Sequence, residues 1–212
     1  LRSGTENLPG LAALNVIFSM LNPESKNTFT PLKTLHLFRQ QIATALTQAF
    51  PKIVFNHNFE NSVPTTINFA IPGLSSKEIM DLFDAANIRV SSGSACSSKV
   101  VRSFVLDAMG LPVWQSESAI RMSFGPAMTQ HKIDEACTRI VFAAKALGQS
   151  CLTIDTNITA DKTELEGLLQ FKVGGSCSWL YVDKKTKSAI FIDPLPELTE
   201  RLQTFLTCQD LN

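Results

Sequence analysis

The chain has 212 residues, of which 44% are apolar and 18% are charged. This composition excludes an intrinsically disordered chain and leaves room for one large or two small domains. The 19 basic residues balance the 19 acidic ones, which removes the strong positive field that nonspecific nucleic-acid binding requires. The balance hides an asymmetry, because residues 1–150 carry 13 basic and 10 acidic residues whereas residues 151–212 carry 6 and 9.

The cysteines and the N-terminal residues indicate the cellular compartment of the protein. No stretch approaches the roughly 18 consecutive apolar residues of a membrane helix, and the chain does not open with the charged and then apolar layout of a signal peptide. The five cysteines include no Cys-x-x-Cys pair, which argues against a zinc knuckle or a dithiol redox motif. We therefore expect a cytoplasmic protein with free thiols and no membrane or nucleic-acid partner. Because the chain lacks an initiator methionine, we also expect a fragment of something longer.

Apolar spacing in residues 1–148 predicts helices packed on a small sheet. Residues 8–21 repeat large apolar side chains at intervals of three and four, which predicts a helix with a buried face that ends at Asn22 and Pro23. The following runs predict, in order, a helix at 31–50, strands at 52–55 and 65–71, a helix at 76–86, an extended segment at 87–90, a helix at 99–109, a strand at 119–124 and a helix at 130–147. This order predicts an α+β layer arrangement.

The C-terminal part of the chain has a different character. Residues 149–172 are polar and predict a linker that ends in a short helix. Two short apolar runs, 178–183 and 188–192, predict strands joined by a lysine-rich turn, and residues 196–206 predict a helix. A hairpin of this size does not fold alone, so we expect it to need a packing partner.

A run of small residues stands out at 91–98, where the sequence is SSGSACSS and contains Cys96. Such a run cannot fill a core, so one interpretation is a mobile loop that presents a reactive thiol. The other is a small buried cysteine, which is how isolated cysteines commonly occur. Composition alone leaves both open. Cys137 lies among apolar residues of a predicted helix, and the buried interpretation fits it far better.

Three stretches resemble the signatures of one enzyme family: residues 2–7 (RSGTEN), 91–98 (SSGSACSS) and 119–125 (AIRMSFG). Their order and spacing are similar to those of the cysteine desulfurases, which belong to the class-V aminotransferase group. The resemblance covers residues 1–148. It implies the C-terminal part of such an enzyme, with the small α+β C-terminal domain of the class-V aminotransferase-type fold.

The resemblance also implies roles for individual residues. Cys96 matches the loop cysteine that attacks the sulfur of L-cysteine bound to pyridoxal phosphate, which leaves alanine and a persulfide for a sulfur-acceptor protein, as in iron–sulfur cluster assembly. Arg121 matches the arginine that binds the substrate carboxylate, because its planar fork of donors suits a carboxylate. A surface salt bridge is the alternative for Arg121. Thr5, in one motif with Arg2, matches the threonine that reaches the cofactor phosphate of the neighbouring subunit, which implies a homodimer; residues 5–7 also suit a helix cap.

The lysine that anchors pyridoxal phosphate in this family precedes the Arg-Ser-Gly-Thr motif and has no counterpart in the chain. The pair His131-Lys132 opens a predicted helix and lacks the glycine that follows the family's lysine, so we reject Lys132 as the anchor. His36 and His57 match no catalytic position, and we expect both on the surface or on a helix face. The isolated chain is therefore expected to be inactive.

Residues 173–212 are similar to the opening hairpin of metallo-β-lactamase-like hydrolases, especially persulfide dioxygenases. The metal-binding stretch His-x-His-x-Asp-His is absent, residues 151–212 contain no histidine, and we expect no metal site here. An unrelated hairpin is the alternative. The apolar side chains of the hairpin, including Trp179, Tyr181, Ile190 and Ile192, are expected to lack a packing partner.

The predicted organisation is thus a desulfurase part at 1–148, a linker at 149–172 and an incomplete metallo-β-lactamase-like hairpin at 173–212. Two rival functions stay open. One is a persulfide-handling enzyme whose catalytic domain is the tail, and the other is a noncatalytic sulfur carrier that keeps Cys96 but needs neither Arg121 nor pyridoxal phosphate.

Overall fold

The computed structural model describes residues 4, 6–21, 29–92, 102–152, 163–173 and 175–212. Within them the helices are α1 (Leu8–Met20), α2 (Leu32–Ala49), α3 (Ser76–Ala85), α4 (Phe104–Ala108), α5 (Val113–Ser118), α6 (Gln130–Gln149) and α7 (Thr199–Gln209), with a 3-10 helix at Pro196–Leu198. The strands are β1 (Val54–Phe55), β2 (Thr66–Ala70), β3 (Ile120–Ser123), β4 (Gly167–Val173), β5 (Ser176–Asp183) and β6 (Ser188–Ile192). Helices with small sheets agree with the expected α+β class. No described helix is both long and apolar enough to cross a membrane.

The first sheet contains β1, β2 and β3 in that order, and all neighbours are antiparallel. Alternation along β2 and β3 points Ile67, Phe69, Ile120 and Met122 into the core, where α2, α3 and α6 cover them. The other face of these two strands carries polar side chains: Thr66, Asn68, Arg121 and Ser123. The first sheet therefore has one face in the core and one polar face.

The second sheet contains β4, β5 and β6 in that order, again antiparallel. Its inner face packs Phe171, Leu180 and Val182 against Leu202 and Phe205 of α7. Its outer face carries side chains that are each 45 to 59% exposed: Leu168, Tyr181, Ile190 and Ile192. Trp179 lies on the same face opposite Ile192 and is half-buried. The apolar face of the hairpin is thus exposed among the described residues, and its lack of a packing partner stays a prediction.

The predicted short helix at the end of the linker is wrong, because residues 167–173 form β4. Leu169, Phe171 and Val173 alternate with Leu168, Gln170 and Lys172, which is the period of a strand. Pairing with β5 along the whole strand supplies the partner that a short polar segment needs. The predicted domain boundaries at 148 and 172 stay predictions.

Arg201 of α7 connects the second sheet and its helix to α3 and to the end of α6. Its guanidinium binds Glu78 at 2.7 Å, donates to the carbonyl oxygen of Leu152 at 2.6 Å and lies 5.1 Å from the centre of the Phe171 ring. Glu78 belongs to the capping box of α3, where it also accepts the N–H of Ser75 at 2.9 Å. One buried arginine therefore ties α7 to the first turn of α3 and to the end of α6.

A disulfide also connects these parts. Cys151, just after α6, is bonded to Cys208 in α7, with their Cα atoms 6.1 Å apart. The expectation that all five cysteines are thiols is therefore wrong for this pair, whereas Cys137 and Cys177 are free. Spacing cannot reveal the bond, because the two residues are 57 positions apart and only the packing of α7 brings them together.

α1 differs from its prediction in burial. The Asn7 side chain accepts the N–H of Gly10 at 3.1 Å, so Asn7 is the N-cap and the helix begins where the sequence predicts. No residue of α1 is buried, and Ile17 and Phe18 are 44% and 61% exposed. The expected buried face is wrong within the described residues, because none of the described elements covers this helix.

Two further predictions need correction. The extended segment at 87–90 forms no strand, and the sheet contact falls one residue later, as a single bridge between Ser91 and Arg121. The helix predicted at 99–109 is α4 in its described part and is followed by α5, which the sequence analysis missed. Gly110, at φ 78°, ends the first of these helices and Pro112 precedes the second, so the two residues divide the segment.

Candidate functional site

The structure places one of the predicted site residues and leaves two outside its described part. Cys96 and Thr5 lie outside the described residues, as does Arg2. Arg121 lies in β3, between the buried side chains of Ile120 and Met122. These two neighbours fix the strand on the core, and alternation then turns the Arg121 side chain to the exposed polar face.

Arg121 has a neighbour on each side in the plane of the sheet. Asn68 of β2 lies directly opposite it in the antiparallel register. On the other side, the N–H of Ser91 donates to the carbonyl oxygen of Arg121 at 3.0 Å, and the N–H of Arg121 donates to that of Ser91 at 2.7 Å. Ser91 is the first residue of the small-residue run that contains Cys96. The bridge therefore anchors the start of that run beside Arg121.

The guanidinium of Arg121 contacts no acceptor among the described residues. In this it differs from the two buried arginines, Arg39 and Arg201. Arg39 is buried, donates to the carbonyl oxygens of Phe59 and Ser62, and lies over the Phe59 ring at 4.7 Å. Arg201 binds Glu78. The salt-bridge alternative for Arg121 is thus not seen within the described part of the chain. An exposed guanidinium held on a rigid strand is available to an anion.

A series of hydrogen-bonded amide side chains connects α5 to the polar face of the first sheet. The Nε2 atom of Gln115 donates to Oδ1 of Asn56 at 2.9 Å, and Nδ2 of Asn56 donates to Oδ1 of Asn68 at 2.7 Å. Asn56 and Gln115 are 3% and 6% exposed, whereas Asn68 is only half-buried. The sequence analysis missed these three residues. One signal was present, since asparagine is disfavoured inside strands and Asn68 stands between Ile67 and Phe69.

His57 lies beside this chain of amides and corrects a prediction. Its Nε2 atom accepts the N–H of Asn68 at 3.0 Å, and the ring packs against Phe59. The accepting nitrogen must be unprotonated, and burial lowers the pKa of His57 below its ordinary value. The expectation of a surface or helix-face histidine is therefore wrong for His57, whereas His36 is exposed on α2 as expected.

The remaining candidate residues behave as supporting structure. Lys132 lies in the first turn of α6 and binds Glu135 at 2.8 Å, and its rejection as a cofactor anchor stays a prediction. Cys137 packs partly buried against the core, and burial raises the pKa of its thiol, with the nearby Asp134 charge raising it further. A raised thiol pKa lowers the fraction of nucleophilic thiolate at neutral pH.

A cavity of about 320 Å³ lies between the end of β3 and the start of α6. Its lining includes Phe124, Lys132, Glu135 and Arg139. The Lys132 and Arg139 cations share the Glu135 carboxylate at 2.8 and 2.6 Å. Because these cations already have an anionic partner, the cavity offers less to an anionic ligand than the uncommitted guanidinium of Arg121.

Comparison with known proteins relates this geometry to a family. The family model for Aminotransferase class-V matches residues 1–135. The chain is similar to a cysteine desulfurase of Gluconacetobacter diazotrophicus, with 32% identity over 134 residues, which are 63% of this chain and 33% of that protein. It is also similar to a cysteine desulfurase of a Nostoc species, with 31% identity over 150 residues, which are 69% of this chain and 37% of that protein.

A solved structure shows the same fold. An X-ray structure of a NifS-like protein from Rickettsia africae superposes with a TM-score of 0.52 at 23% identity, covering 68% of this chain and 36% of that one. The chain therefore spans between 33% and 37% of the lengths of these relatives.

Proposed function

The chain belongs to the aminotransferase class-V family, and we propose that it supplies the substrate-carboxylate site and the sulfur-accepting loop of a cysteine desulfurase. The proposed reaction removes sulfur from L-cysteine and leaves alanine and a persulfide on Cys96. In this proposal Arg121 binds the carboxylate of the amino acid, and the persulfide then passes to a sulfur-acceptor protein. Support comes from relatives that are named cysteine desulfurases.

The observation that carries this proposal is the bridge between Ser91 and Arg121. It joins the start of the cysteine-containing run to a strand whose exposed arginine has no partner among the described residues. A carboxylate bound at Arg121 orients the rest of the amino acid relative to a fixed strand. A thiol carried five residues after Ser91 is within chain reach of that substrate, because an extended residue spans about 3.3 Å.

The described residues fit a carboxylate and do not fit pyridoxal phosphate. Enzymes of this kind hold the cofactor through a lysine, and the cofactor supplies an electron sink for bond cleavage next to the amino group. No strand residue on the polar face of the first sheet is a lysine, and Lys132 is bound to Glu135 on α6. We therefore propose that the anchoring lysine comes from the part of the fold that this chain does not span.

The subunit arrangement and the location are further parts of the proposal. The match of Thr5 to the family's phosphate-binding threonine supports a homodimer in which each chain completes the neighbour's cofactor site. We propose the cytoplasm as the compartment, as expected from the sequence. The Cys151–Cys208 disulfide stands against that location, because such bonds are rare in reducing compartments, and it makes the redox state of this pair a direct test.

Residues 173–212 carry a separate proposal, that they open a metallo-β-lactamase-like domain. The exposed outer face of the second sheet supports it, because a sheet with two apolar faces belongs inside a two-layer structure. Sequencing the gene beyond Asn212 tests it. A His-x-His-x-Asp-His stretch is the expected finding, and an unrelated continuation would contradict the proposal.

Activity is best tested in a chimera in which residues 1–148 replace the matching stretch of the Nostoc cysteine desulfurase. Alanine formation from L-cysteine is expected in the chimera, and Arg121→Gln should raise KM by about tenfold or more, because a hydrogen bond to a charged group is lost. Arg102→Gln is the matched control, since the guanidinium of Arg102 is already bound to Asp107. A chimera that is inactive while the parent enzyme works, or equal KM values for the two variants, would contradict the proposal.

A further inference from the structure

We propose that Asn68 is a second substrate-binding residue, whose side-chain Nδ2 donates to the same carboxylate that Arg121 binds. This inference rests on the proposed function, in which Arg121 takes the carboxylate. It extends the site from one side chain to a pair on neighbouring strands. Three observations carry it: the register of the two residues, the hydrogen bonds that orient the Asn68 amide, and the donors that stay unused.

The register places the two side chains together. Asn68 and Arg121 are directly opposite in the antiparallel pairing of β2 with β3, so both project from the polar face. Opposite residues on one face have Cβ atoms about 4.5 to 5.5 Å apart. A carboxylate has two oxygens, and each accepts more than one hydrogen bond. The same carboxylate can therefore lie within reach of the guanidinium and of the neighbouring amide.

The orientation of the Asn68 amide is set from the buried side. Its Oδ1 accepts from Nδ2 of Asn56 at 2.7 Å, and Asn56 in turn accepts from Gln115 at 2.9 Å. The backbone of Asn56 also donates to the carbonyl oxygen of Asn68 at 2.9 Å. Because Oδ1 must face Asn56 to accept this bond, Nδ2 faces away from the buried amides. Buried amides bound in series resist reorientation, since an unpaired one is costly.

The donors of Asn68 Nδ2 stay unused within the described residues, as does the guanidinium of Arg121. Asn68 is half-buried, so its Oδ1 is held by Asn56 while its Nδ2 can be reached from the polar face. Nearby carboxylates do not compete for it, because the strand neighbours on this face are Thr66 and Ser123, whose hydroxyls lie 3.4 Å from each other. Among the described residues, the face thus presents a positive fork and an oriented amide, and no anion.

The chemistry of the pair selects a carboxylate rather than a neutral amino acid ester. The guanidinium supplies charge, and the amide adds a donor at a fixed angle beside it. A neutral ester loses the charge-assisted part of both contacts. The class of ligand is therefore a free α-carboxylate, and Asn68 adds to both the affinity and the orientation of that group.

The test uses the whole chain, isotope-labelled for NMR, and titrates it with L-alanine as the carboxylate probe and with L-alanine methyl ester, which keeps the ammonium group but has no carboxylate charge. We expect the side-chain signals of Asn68 Nδ2 and Arg121 Nε to shift with L-alanine and not with the ester. Asn68→Ala should weaken L-alanine binding by about tenfold, because a hydrogen bond to a charged group is removed. Asn68→Asp should weaken it further, because a second carboxylate repels the ligand and competes for Arg121.

Thr66→Ala is the matched control, since Thr66 lies on the same strand and the same face, two residues before Asn68. It should leave the affinity unchanged. Aspartate has the same shape as asparagine, so Asn68→Asp replaces Asn68→Ala if the alanine variant does not fold. The shift of the Asn68 side-chain amide in the unsubstituted chain is a test that needs no variant.

The outcomes separate this inference from the proposed function. If Arg121→Gln abolishes binding while the Asn68 variants bind like Thr66→Ala, Asn68 has no part in the site and the inference is wrong. If L-alanine and its ester shift the parent's signals equally, or Arg121→Gln changes nothing, the carboxylate site itself is wrong. Loss of binding in both the Arg121 and Asn68 variants, with the control intact, supports the inference.

Discussion

Within the described part of the chain, the two sheets have the same strand count and the same antiparallel pairing, yet the faces away from their cores differ in character. The first sheet presents Asn68, Arg121 and Ser123 on the face away from its core. The second presents Tyr181, Ile190 and neighbouring apolar side chains in the corresponding place. A polar uncovered face suits a ligand site, because its donors stay hydrated until a ligand replaces the water. An apolar uncovered face suits burial against more protein.

The two sheets also differ in the helices that cover them. Helices α2, α3 and α6 cover the first sheet, whereas α7 is the main cover of the second. The small second core gains from attachment, because a unit this small buries only a modest share of its surface on folding. Arg201 and the Cys151–Cys208 bond provide this attachment. Substitutions at these joints should therefore change stability, and substitutions on the two faces should change binding or association.

The largest effect is expected at Arg201. Arg201→Met keeps much of the side-chain stem and removes the guanidinium, which leaves Glu78 without its cation and the carbonyl oxygen of Leu152 without its donor. Breaking a buried ion pair by removing one partner costs about 3 kcal/mol or more. Urea unfolding should show this loss. Arg102→Met, which removes an exposed ion pair with Asp107, should cost under about 1 kcal/mol, and equal losses for the two variants would refute the proposed joint.

The disulfide is expected to contribute the next largest effect. Replacing Cys151 and Cys208 together by alanine should lower the free energy of unfolding by about 2 to 4 kcal/mol, because the bond closes a long loop in the unfolded chain. Cys177→Ala is the control, since this cysteine is free and half-buried. Alkylation without reductant, followed by mass spectrometry, should leave both residues of the pair unmodified. Full alkylation of the pair in a fresh cell extract would show that it exists as thiols there.

A smaller, pH-dependent effect is expected at His57, beside the polar face. Burial lowers its folded pKa, so below about 6.5 the unfolded chain binds the proton while the folded ring stays neutral. The free energy of unfolding should therefore be highest above that pH and fall as the pH drops towards the folded pKa. His57→Gln should flatten this slope, and His36→Gln on exposed α2 should not. A slope that survives in His57→Gln belongs to another group.

The smallest effect on stability is expected on the apolar face of the second sheet. Ile190 is 59% exposed, so Ile190→Lys should change the free energy of unfolding by no more than about 0.5 kcal/mol. Self-association at high concentration should nevertheless decrease, as measured by light scattering after size exclusion. Gln203→Lys adds the same charge on the exposed side of α7 and should leave association unchanged. Equal association of both variants would show that this face does not drive contacts.

Local signals were sufficient to predict much of the first layer. The apolar spacing of α2 and α6 and the capping box of α3 are encoded within one or two helical turns, and the alternation around Arg121 predicts its strand. The three-motif resemblance predicted the family that the comparisons show for residues 1–135. The predictions for Cys96 and Thr5 lie outside the described residues and stay predictions.

The features that the sequence could not reveal depend on distant partners. The amides of Asn56 and Gln115 are 59 positions apart, and only the placement of α5 on the sheet pairs them. In the sequence, Arg201 is one charged residue of an amphipathic helix, but the packing of α7 places it in an ion pair with Glu78 between the two cores. β4 lacks a strong strand composition and gains its strand state from pairing with β5. Each of these was missed because tertiary contacts decide it.

In the proposed function, the polar face of the first sheet binds the amino acid whose sulfur Cys96 receives. Its most direct test is mass spectrometry of the chimera after brief exposure to L-cysteine, with peptides alkylated to trap persulfides. We expect one added sulfur atom on the peptide that contains Cys96, and its loss in Arg121→Gln but not in Arg102→Gln. Sulfur on Cys137 instead, or a Cys96 persulfide that forms equally well in Arg121→Gln, would show that Arg121 does not bind the substrate of Cys96.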